Sequence, residues 1–457
     1  MDYIIRFSQS HESFRLPEVQ ALATLENISL QVLSYSPDSP FCTIRISPSA
    51  PSDAARLVKR AILVQTISEL WGQGTTTPLL HASVRATSSH LWHLYRHTTF
   101  KFWLDSYQGA RTNAKRLSLI KEFAYLPFEG EVRMSSPDEE FTIFEDWPER
   151  SVPLGIPDPK TYYLGRRVGF GARDLPRRLD LKKRRYISTT SMDSELALIT
   201  ANLALAGPGK LVYDPFVGTG SFPVACGLFG ALTFGSDIDG RSVRGDEREK
   251  TLRANFEQYG IVPRMGGFFT ADLTNAPIRR VELGAGGDGK RGRTFDAILC
   301  DPPYGVREGL VVLGVRDPEG KDAWRVRLGK TMERDPTYLP PKKPYSFMAM
   351  LDDILQFSAQ TLVDYGRLSF WMPTANDEEQ EIPIPTHPYM ELVVVCTQPF
   401  NKWSRRLITY QRLPDAKVDP NAMKERAARA HDVGVTADEL NPFRRGYFNK
   451  FGTETPN

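Results

Sequence analysis

Phe295-Asp296-Ala297-Ile298-Leu299-Cys300-Asp301-Pro302-Pro303-Tyr304-Gly305 is the stretch from which the fold is read. The run Phe295 to Cys300 has the near-continuous hydrophobicity of a strand buried on both faces of a parallel sheet. Two consecutive prolines donate no backbone hydrogen bonds, and each holds φ at roughly −65°. The strand therefore stops at Asp301 and the chain turns stiffly outward. A carboxylate, a proline carbonyl and an aromatic ring are left at the carboxyl end of a strand, where open α/β sheets bind ligands.

Such a corner suits one kind of chemistry. A planar amine can donate one N–H to the Asp301 carboxylate and the other to the Pro302 carbonyl, while a flat ring stacks on Tyr304. The exocyclic amine of a nucleobase is a poor nucleophile because its lone pair is delocalised into the ring. Two acceptors pulling on its hydrogens draw the nitrogen toward sp³ and free that lone pair for an electrophile. An ordinary strand-to-loop turn has the same local sequence, so the upstream residues must decide.

Upstream, Lys210-Leu211-Val212-Tyr213-Asp214 reads as a strand and Pro215-Phe216-Val217-Gly218-Thr219-Gly220-Ser221 as a glycine turn. A helix over 222–229 follows, with Pro223 in its first turn. A second strand over 231–236 ends in Asp237-Ile238-Asp239, with Asp237 19 residues after Gly218. Glycines after a first strand let backbone approach a ligand, and an acid about 20 residues on reaches ribose hydroxyls. The motif is D-P-F-x-G-T-G and not G-x-G-x-x-G. An acid ending the first strand suits a cofactor with a positive amino group and no pyrophosphate, although a dinucleotide stays open. A third strand over 267–270 runs into Asp272-Leu273, where a carboxylate is placed to accept from an adenine amine. Helices are expected over 191–205 and 246–258. Three successive strands thus end in acids on one edge, which predicts an α/β Rossmann-like domain.

Around this half the pattern is less sharp. Residues 1–60 read strand, helix, strand, strand, helix, an α+β ferredoxin-like order. Residues 61–175 predict a strand over 99–104, a helix over 114–125 and a hairpin of 131–134 with 141–144. The histidines and aromatics of 90–97 read as packed or surface residues and not as metal ligands. Arg177, Arg178, Lys182, Lys183, Arg184 and Arg185 make six cations against one acid in nine residues. That linker, 176–190, is either a solvated face or a phosphate-contacting seam. Residues 278–293 are expected to be an exposed insertion, and 306–343 an insert near the site. A helix over 345–362, a strand over 366–372 and a strand pair of 391–397 with 406–411 complete the domain, 191–414. The tail 415–457, with Arg444, Arg445 and Lys450, is expected to be loosely ordered.

Composition sets outer bounds. The 457 residues suffice for two to three domains, and 41% hydrophobic with 25% charged residues is ordinary for a globular protein. Cys42, Cys226, Cys300 and Cys396 are too far apart for a metal site and predict free buried thiols, so no metal is expected. No apolar run approaches a membrane span of about 20 residues. No signal peptide is expected from the first residues, which makes a cytoplasmic protein the default. The net charge of +3 is too small to carry weight by itself.

With these motifs in place a family resemblance emerges. Leu181-Lys182-Lys183-Arg184-Arg185-Tyr186 with Thr190-Ser191-Met192-Asp193, then the glycine turn, Gly235-Ser236-Asp237-Ile238-Asp239 and the proline corner resemble the eukaryotic and archaeal tRNA (guanine-10-N2)-methyltransferases. The resemblance implies a ferredoxin-like/THUMP module ahead of a Rossmann-like class I methyltransferase domain. S-adenosyl-L-methionine is the implied cofactor, tRNA guanosine 10 the implied target, and a small zinc-binding activator subunit the implied partner. Carried over by motif, Asp214, Phe216, Gly218, Gly220 and Ser221 form the methionine pocket. Asp237 with Ile238 holds the ribose, and Asp272 with Leu273 contacts adenine. Thr190 belongs to a loop that closes over the cofactor. Asp301, Pro302, Pro303 and Tyr304 grip and activate the guanine amine, and the basic run meets RNA. Methylation of guanosine 6 in tRNA, of adenine N6 in DNA or of a protein glutamine uses the same corner and stays open. So does a non-catalytic RNA-binding subunit, which three intact acids argue against.

Overall fold

The computed structural model describes all residues except 49, 246–249, 284–291, 307–309, 316, 321, 333–339, 377–381, 402, 420, 428–440, 442 and 444–457. The chain divides into two compact units, Met1–Leu175 and Pro176–Asn457. No helix among the described residues is long and apolar enough to cross a membrane.

The first unit holds seven strands: β1 (Asp2–Phe7), β2 (Leu30–Tyr35), β3 (Phe41–Ile46), β4 (Val64–Gly74), β5 (Phe100–Tyr107), β6 (Glu139–Asp146) and β7 (Thr161–Phe170). They form one sheet in the order β2-β3-β1-β4-β7-β6-β5. The expected strand pair β2–β3 and the helices Glu12–Glu26 and Asp53–Val58 are present. A boundary at residue 60, however, would cut a continuous sheet, because β4 joins β1 to β7. Sequence reasoning missed β4 for a physical reason. Bulges at Ile67/Ser68 and Leu70/Gly72 break its two-residue alternation. Its Gly72 admits the helix Thr77–Ser88, since a Cβ there would sit 2.6 Å from the Val84 side chain. The expected hairpin of 131–134 with 141–144 does not form. Phe141 lies in β6, parallel to β5 and antiparallel to β7, and Val132 makes one isolated bridge to Phe100. In the segment 90–97, Trp92 donates to Ser88 Oγ and Tyr95 packs against Trp71.

The second unit is a mixed sheet: β8 (Leu211–Asp214), β9 (Leu232–Asp237), β10 (Met265–Thr270), β11 (Phe295–Cys300), β14 (Leu362–Ala375), β15 (Met390–Pro399) and β16 (Trp403–Arg412), with a small separate ladder of β12 (Val311–Leu313) and β13 (Lys342–Pro344). Its order is β10-β9-β8-β11-β14-β16-β15. The first five run parallel, and β16 is antiparallel to both β14 and β15. From β8 the chain steps outward to β9 and β10, then returns to lay β11 on the other side of β8. The switch point therefore falls between β8 and β11, where open sheets bind ligands. The apolar runs bury as expected: Ile298, Leu299, Leu368 and Phe370 have no exposed surface. Tyr213 stacks on Phe295 at 4.8 Å and joins its hydroxyl to Ser236 Oγ at 2.7 Å. All four cysteines are free and buried.

Two expectations fail in this unit. Arg293, assigned to an exposed insertion, is buried, its Nη2 2.8 Å from both oxygens of Asp415. Residues 284–291 of that insertion lie outside the described residues. The region after 414 is not simply a loose tail. Asp415 also pairs with fully buried Arg412, the helix Ala422–Ala427 follows, and Asn441 and Phe443 are buried. Arg444, Arg445 and Lys450 lie outside the described residues. Charges read as solvated until their distant partners are known. Burial raises the Asp415 carboxyl pKa, but the guanidiniums of Arg293 and Arg412 outweigh it and hold it below the usual range. Asp415 therefore stabilises the fold above the ordinary carboxylate pKa of about 4, and that stability is lost as pH falls through its lower folded pKa. Asp415→Asn should destabilise this unit at pH 7 by roughly 1 kcal/mol, because the Asp415 carboxylate is itself partly exposed and Asp364 still pairs with Arg293 and Arg412. In thermal melts across pH, the gap between variant and wild type should close in acid.

Candidate active site

Asp214, Asp237 and Asp301 stand at or just beyond the carboxyl ends of β8, β9 and β11, three neighbouring parallel strands. Backbone donors fix the first two. Phe216 N–H donates to Asp214 Oδ1 at 2.9 Å. Gly218 N–H donates to Asp237 Oδ2 at 2.9 Å, and Asp239 N–H to Asp237 Oδ1 at 2.8 Å. The glycine turn thus hangs from the acid of the next strand. Gly218 and Gly220 both take left-handed backbone, φ 47° and 84°. A Cβ on Gly218 would meet open space, so that glycine is needed for its conformation and leaves room for a ligand. Phe216 and Ile238 flank the crevice half-buried.

Charge accumulates here. Burial pushes the Asp214 carboxyl pKa well above its usual range, and the charges of Asp237 and Asp301 push it further. Burial also raises Asp237, against the two N–H groups it accepts and the charge of Lys342 on β13. The expected insert therefore does reach the site. Burial pushes Asp301 up to about 6, although the Tyr304 hydroxyl and the charge of Arg405 on β16 draw it down. A ligand bringing positive charge and hydroxyl donors relieves this crowding.

The proline corner differs from expectation in one contact. The Tyr304 hydroxyl donates to Asp301 Oδ1 at 2.6 Å, so the ring and the carboxylate are coupled. The ring meets the edge of Trp403 at 6.3 Å, and Trp403 stacks on Phe400 at 4.5 Å. Pro302 is buried and Pro303 exposed. Asn441 Nδ2 donates to the Tyr304 carbonyl at 2.8 Å and ties the corner to the end of the chain.

Asp272 needs correction. Its carboxylate already accepts from Thr274 N–H, Thr274 Oγ1, Asn275 N–H and, at 2.9 Å, Leu313 N–H. Burial opposes ionisation there, yet these donors win and lower its pKa. With Asn275 Nδ2 also shared between both oxygens, the carboxylate is engaged mainly by its own chain and offers little capacity to an adenine amine. Asp272 caps its own turn and anchors β12, and Leu273 is core.

Thr190 is exposed, but its loop docks on the glycine turn: Ser191 Oγ lies 2.7 Å from Thr219 Oγ1. Asn255, which sequence reasoning missed, clamps the two. Its Nδ2 donates to the carbonyls of Tyr186 and Thr219, and its Oδ1 accepts from Tyr186 N–H. A polar residue between Ala254 and Phe256 on the buried side of a helix was the available signal. Arg405, Trp403 and Asn441 were missed because only pairing of β16 and the chain's last segment bring them here. In the basic run, Arg177, Arg178, Lys182, Lys183 and Arg185 are exposed. Arg184 is not: it is buried and donates to Ser221 Oγ, which removes it from any phosphate-facing surface.

Five parallel strands with this switch point, a glycine turn hung from the acid of the next strand and a proline corner define a class I methyltransferase. Residues 1–173 match the model of the family described as Tmrp11 THUMP N-terminal domain. The tRNA (guanine(10)-N(2))-methyltransferase of Saccharomyces cerevisiae is 40% identical over 456 residues, 98% of this chain and 99% of the yeast protein. TRMT11 of Homo sapiens, of the same name, is 33% identical, covering 90% and 88%. TrmN from Thermus thermophilus, a solved structure, aligns at 14% identity with a TM-score of 0.40 over 90% of this chain and all of its own. The chain belongs to the tRNA (guanine(10)-N(2))-methyltransferase family.

S-adenosylmethionine is the cofactor of such a domain, and the residues present fit it. Buried Asp214 and half-buried Asp237 would suit an ammonium and ribose hydroxyls as acceptors, and a Cβ at Gly218 would meet open space. Two outcomes follow. Because Asp301 has a folded pKa above its unfolded one, stability is lost as pH rises from about 4 toward 6. Asp301→Asn should therefore leave the melting temperature at pH 8 equal or higher while activity collapses. Tyr304→Phe removes a bond that lowers the Asp301 pKa, so the rising limb of its single-turnover pH–rate profile should move above pH 6.

Proposed function

We infer that this protein is the catalytic subunit transferring a methyl group from S-adenosylmethionine to N2 of guanosine 10 in tRNA. The placement of Asp301 beside Asp214 across the switch point carries the reading, supported by end-to-end similarity to relatives of that name. The cofactor supplies a methyl group on a sulfonium whose charge is lost on transfer. The protein then has mainly to position and polarise.

The target guanine must leave its stack to reach the crevice. Asp301 accepts one amine hydrogen and the Pro302 carbonyl the other. At neutral pH a carboxyl titrating near 6 is ionised and acts as an acceptor. Its coupling to Tyr304 keeps it oriented until the amine arrives. Tyr304, Trp403 and Phe400 offer a π surface for the displaced base or a neighbour. The exposed Arg177, Arg178, Lys182, Lys183 and Arg185 meet phosphates without reading sequence. The small zinc-binding activator subunit belongs to this proposal as partner.

The test is mass spectrometry of tRNA nucleosides mapped to position. A strain lacking this protein should lose N2-methylguanosine at position 10. Wild type should restore it, and Asp301→Ala, expressed with the activator, should restore at least about a hundredfold less. Restoration by Asp301→Ala to within a few-fold would refute the assigned role, and loss at another position would replace the target.

A further inference from the structure

Arg405 is a cation that the fold holds still beside the proline corner. Cys300 lies opposite Phe370 in the β11–β14 ladder, so Asp301 comes level with Trp371. Arg405, opposite Pro373 in the β14–β16 ladder, covers the Trp371 ring, with its guanidinium carbon 4.8 Å from the centroid. Trp371 is fixed in turn, being buried and donating to Thr200 Oγ1 at 3.1 Å. Phe400 flanks the guanidinium at 5.8 Å, and Nε donates to Gln398 Oε1 at 2.6 Å. Two rings and one hydrogen bond therefore set the plane of the fork.

Gln398 occupies only Nε. The two Nη groups remain on a half-buried side chain and form no ion pair among the described residues. Their charge is felt at Asp301 and at the Tyr304 hydroxyl. Asp301 Oδ1, however, is taken by that hydroxyl at 2.6 Å and not by the guanidinium. The corner thus sets a carboxylate acceptor and a guanidinium donor near one another, with neither satisfying the other. A guanine held by its N2 amine complements such a pair, because it carries acceptors on either side of the amine, at ring N3 and, beyond N1, at O6. We propose that Arg405 is a specificity-determining residue that donates to one of these acceptors of the target guanine. This rests on reading the corner as the place that takes the base. The target's phosphate is the poorer match, because Arg405 stands level with the carboxylate that grips the base.

The experiment measures single-turnover methylation by the full chain purified with its partner. It is run at pH 8, well above the Asp301 pKa of about 6, so that loss of the Arg405 charge leaves the carboxylate ionised. Three ligated tRNAs carry at position 10 guanosine, 3-deazaguanosine, which lacks N3, or 2-aminopurine riboside, which lacks O6. Wild type should lose about tenfold or more in rate on one analogue, the one missing the acceptor that Arg405 meets. Arg405→Met should lose about as much on guanosine and nothing further on that same analogue. Arg405→Lys, which keeps the charge and the stem over Trp371 but not the fork, should fall between the two, and it replaces the methionine variant if that one melts early. Wild type and variant losing alike on both analogues would make Arg405 a phosphate-contacting or packing residue and overturn the proposal. So would wild type tolerating both analogues, or Arg405→Met staying within about threefold of wild type on guanosine. Asp301→Ala separates the underlying reading: activity on guanosine within a few-fold of wild type would show that the corner does not take the base.

Discussion

Three carboxylates crowd one end of a parallel sheet, and the site depends on that crowding. Asp214, Asp237 and Asp301 are carried there by strands that must lie side by side to bury their apolar residues. Their charges oppose one another, and burial raises the pKa of all three. The crevice therefore concentrates unfavourable charge, a cost usual at functional sites. Folding alone does not reward such an arrangement; a cationic ligand does. Asp272, on the next strand of the same edge, shows the contrast: with its oxygens engaged by its own chain, its pKa falls and it is structural.

Opposing this negative crevice are cations arranged by different means. Arg405 is held over the ring of Trp371 and hydrogen-bonded to Gln398, where its charge favours ionised Asp301. Lys342 comes from the insert between β11 and β14 and bears on Asp237. Arg184 stands at the helix end beyond the glycine turn. None forms an ion pair with the three acids among the described residues, so the acids keep acceptor capacity for a ligand. Neutral side chains do the bracing instead: Asn255 locks the 186–191 loop to the turn, and Asn441 locks the proline corner.

Legibility followed the range of the interaction. The α/β alternation, the glycine turn, the acid after the next strand and the proline corner all read correctly, because each is set by residues adjacent in the chain. Among the strands of the second unit, β11, β14, β15 and β16 were each placed to within a few residues. Missed features had partners far away. Bulges hid β4, the 131–134 hairpin lost to pairing across distant strands, and Arg293 was misjudged because Asp415 lies 122 residues away. Charge clusters misled most: Arg184 and its neighbours look alike in sequence, and only one of them is buried.

By itself the sequence determined which groups are available and how the backbone must bend to present them. Prolines stop β11, glycines permit the left-handed turn, and apolar runs specify buried parallel strands. These are local covalent and steric facts. Tertiary structure alone decided which acids remain open to a ligand, that Tyr304 is bonded to Asp301, and that Arg184 faces inward. Such outcomes depend on solvent exclusion and on donors brought from distant segments, and neither is encoded in a residue's immediate neighbours.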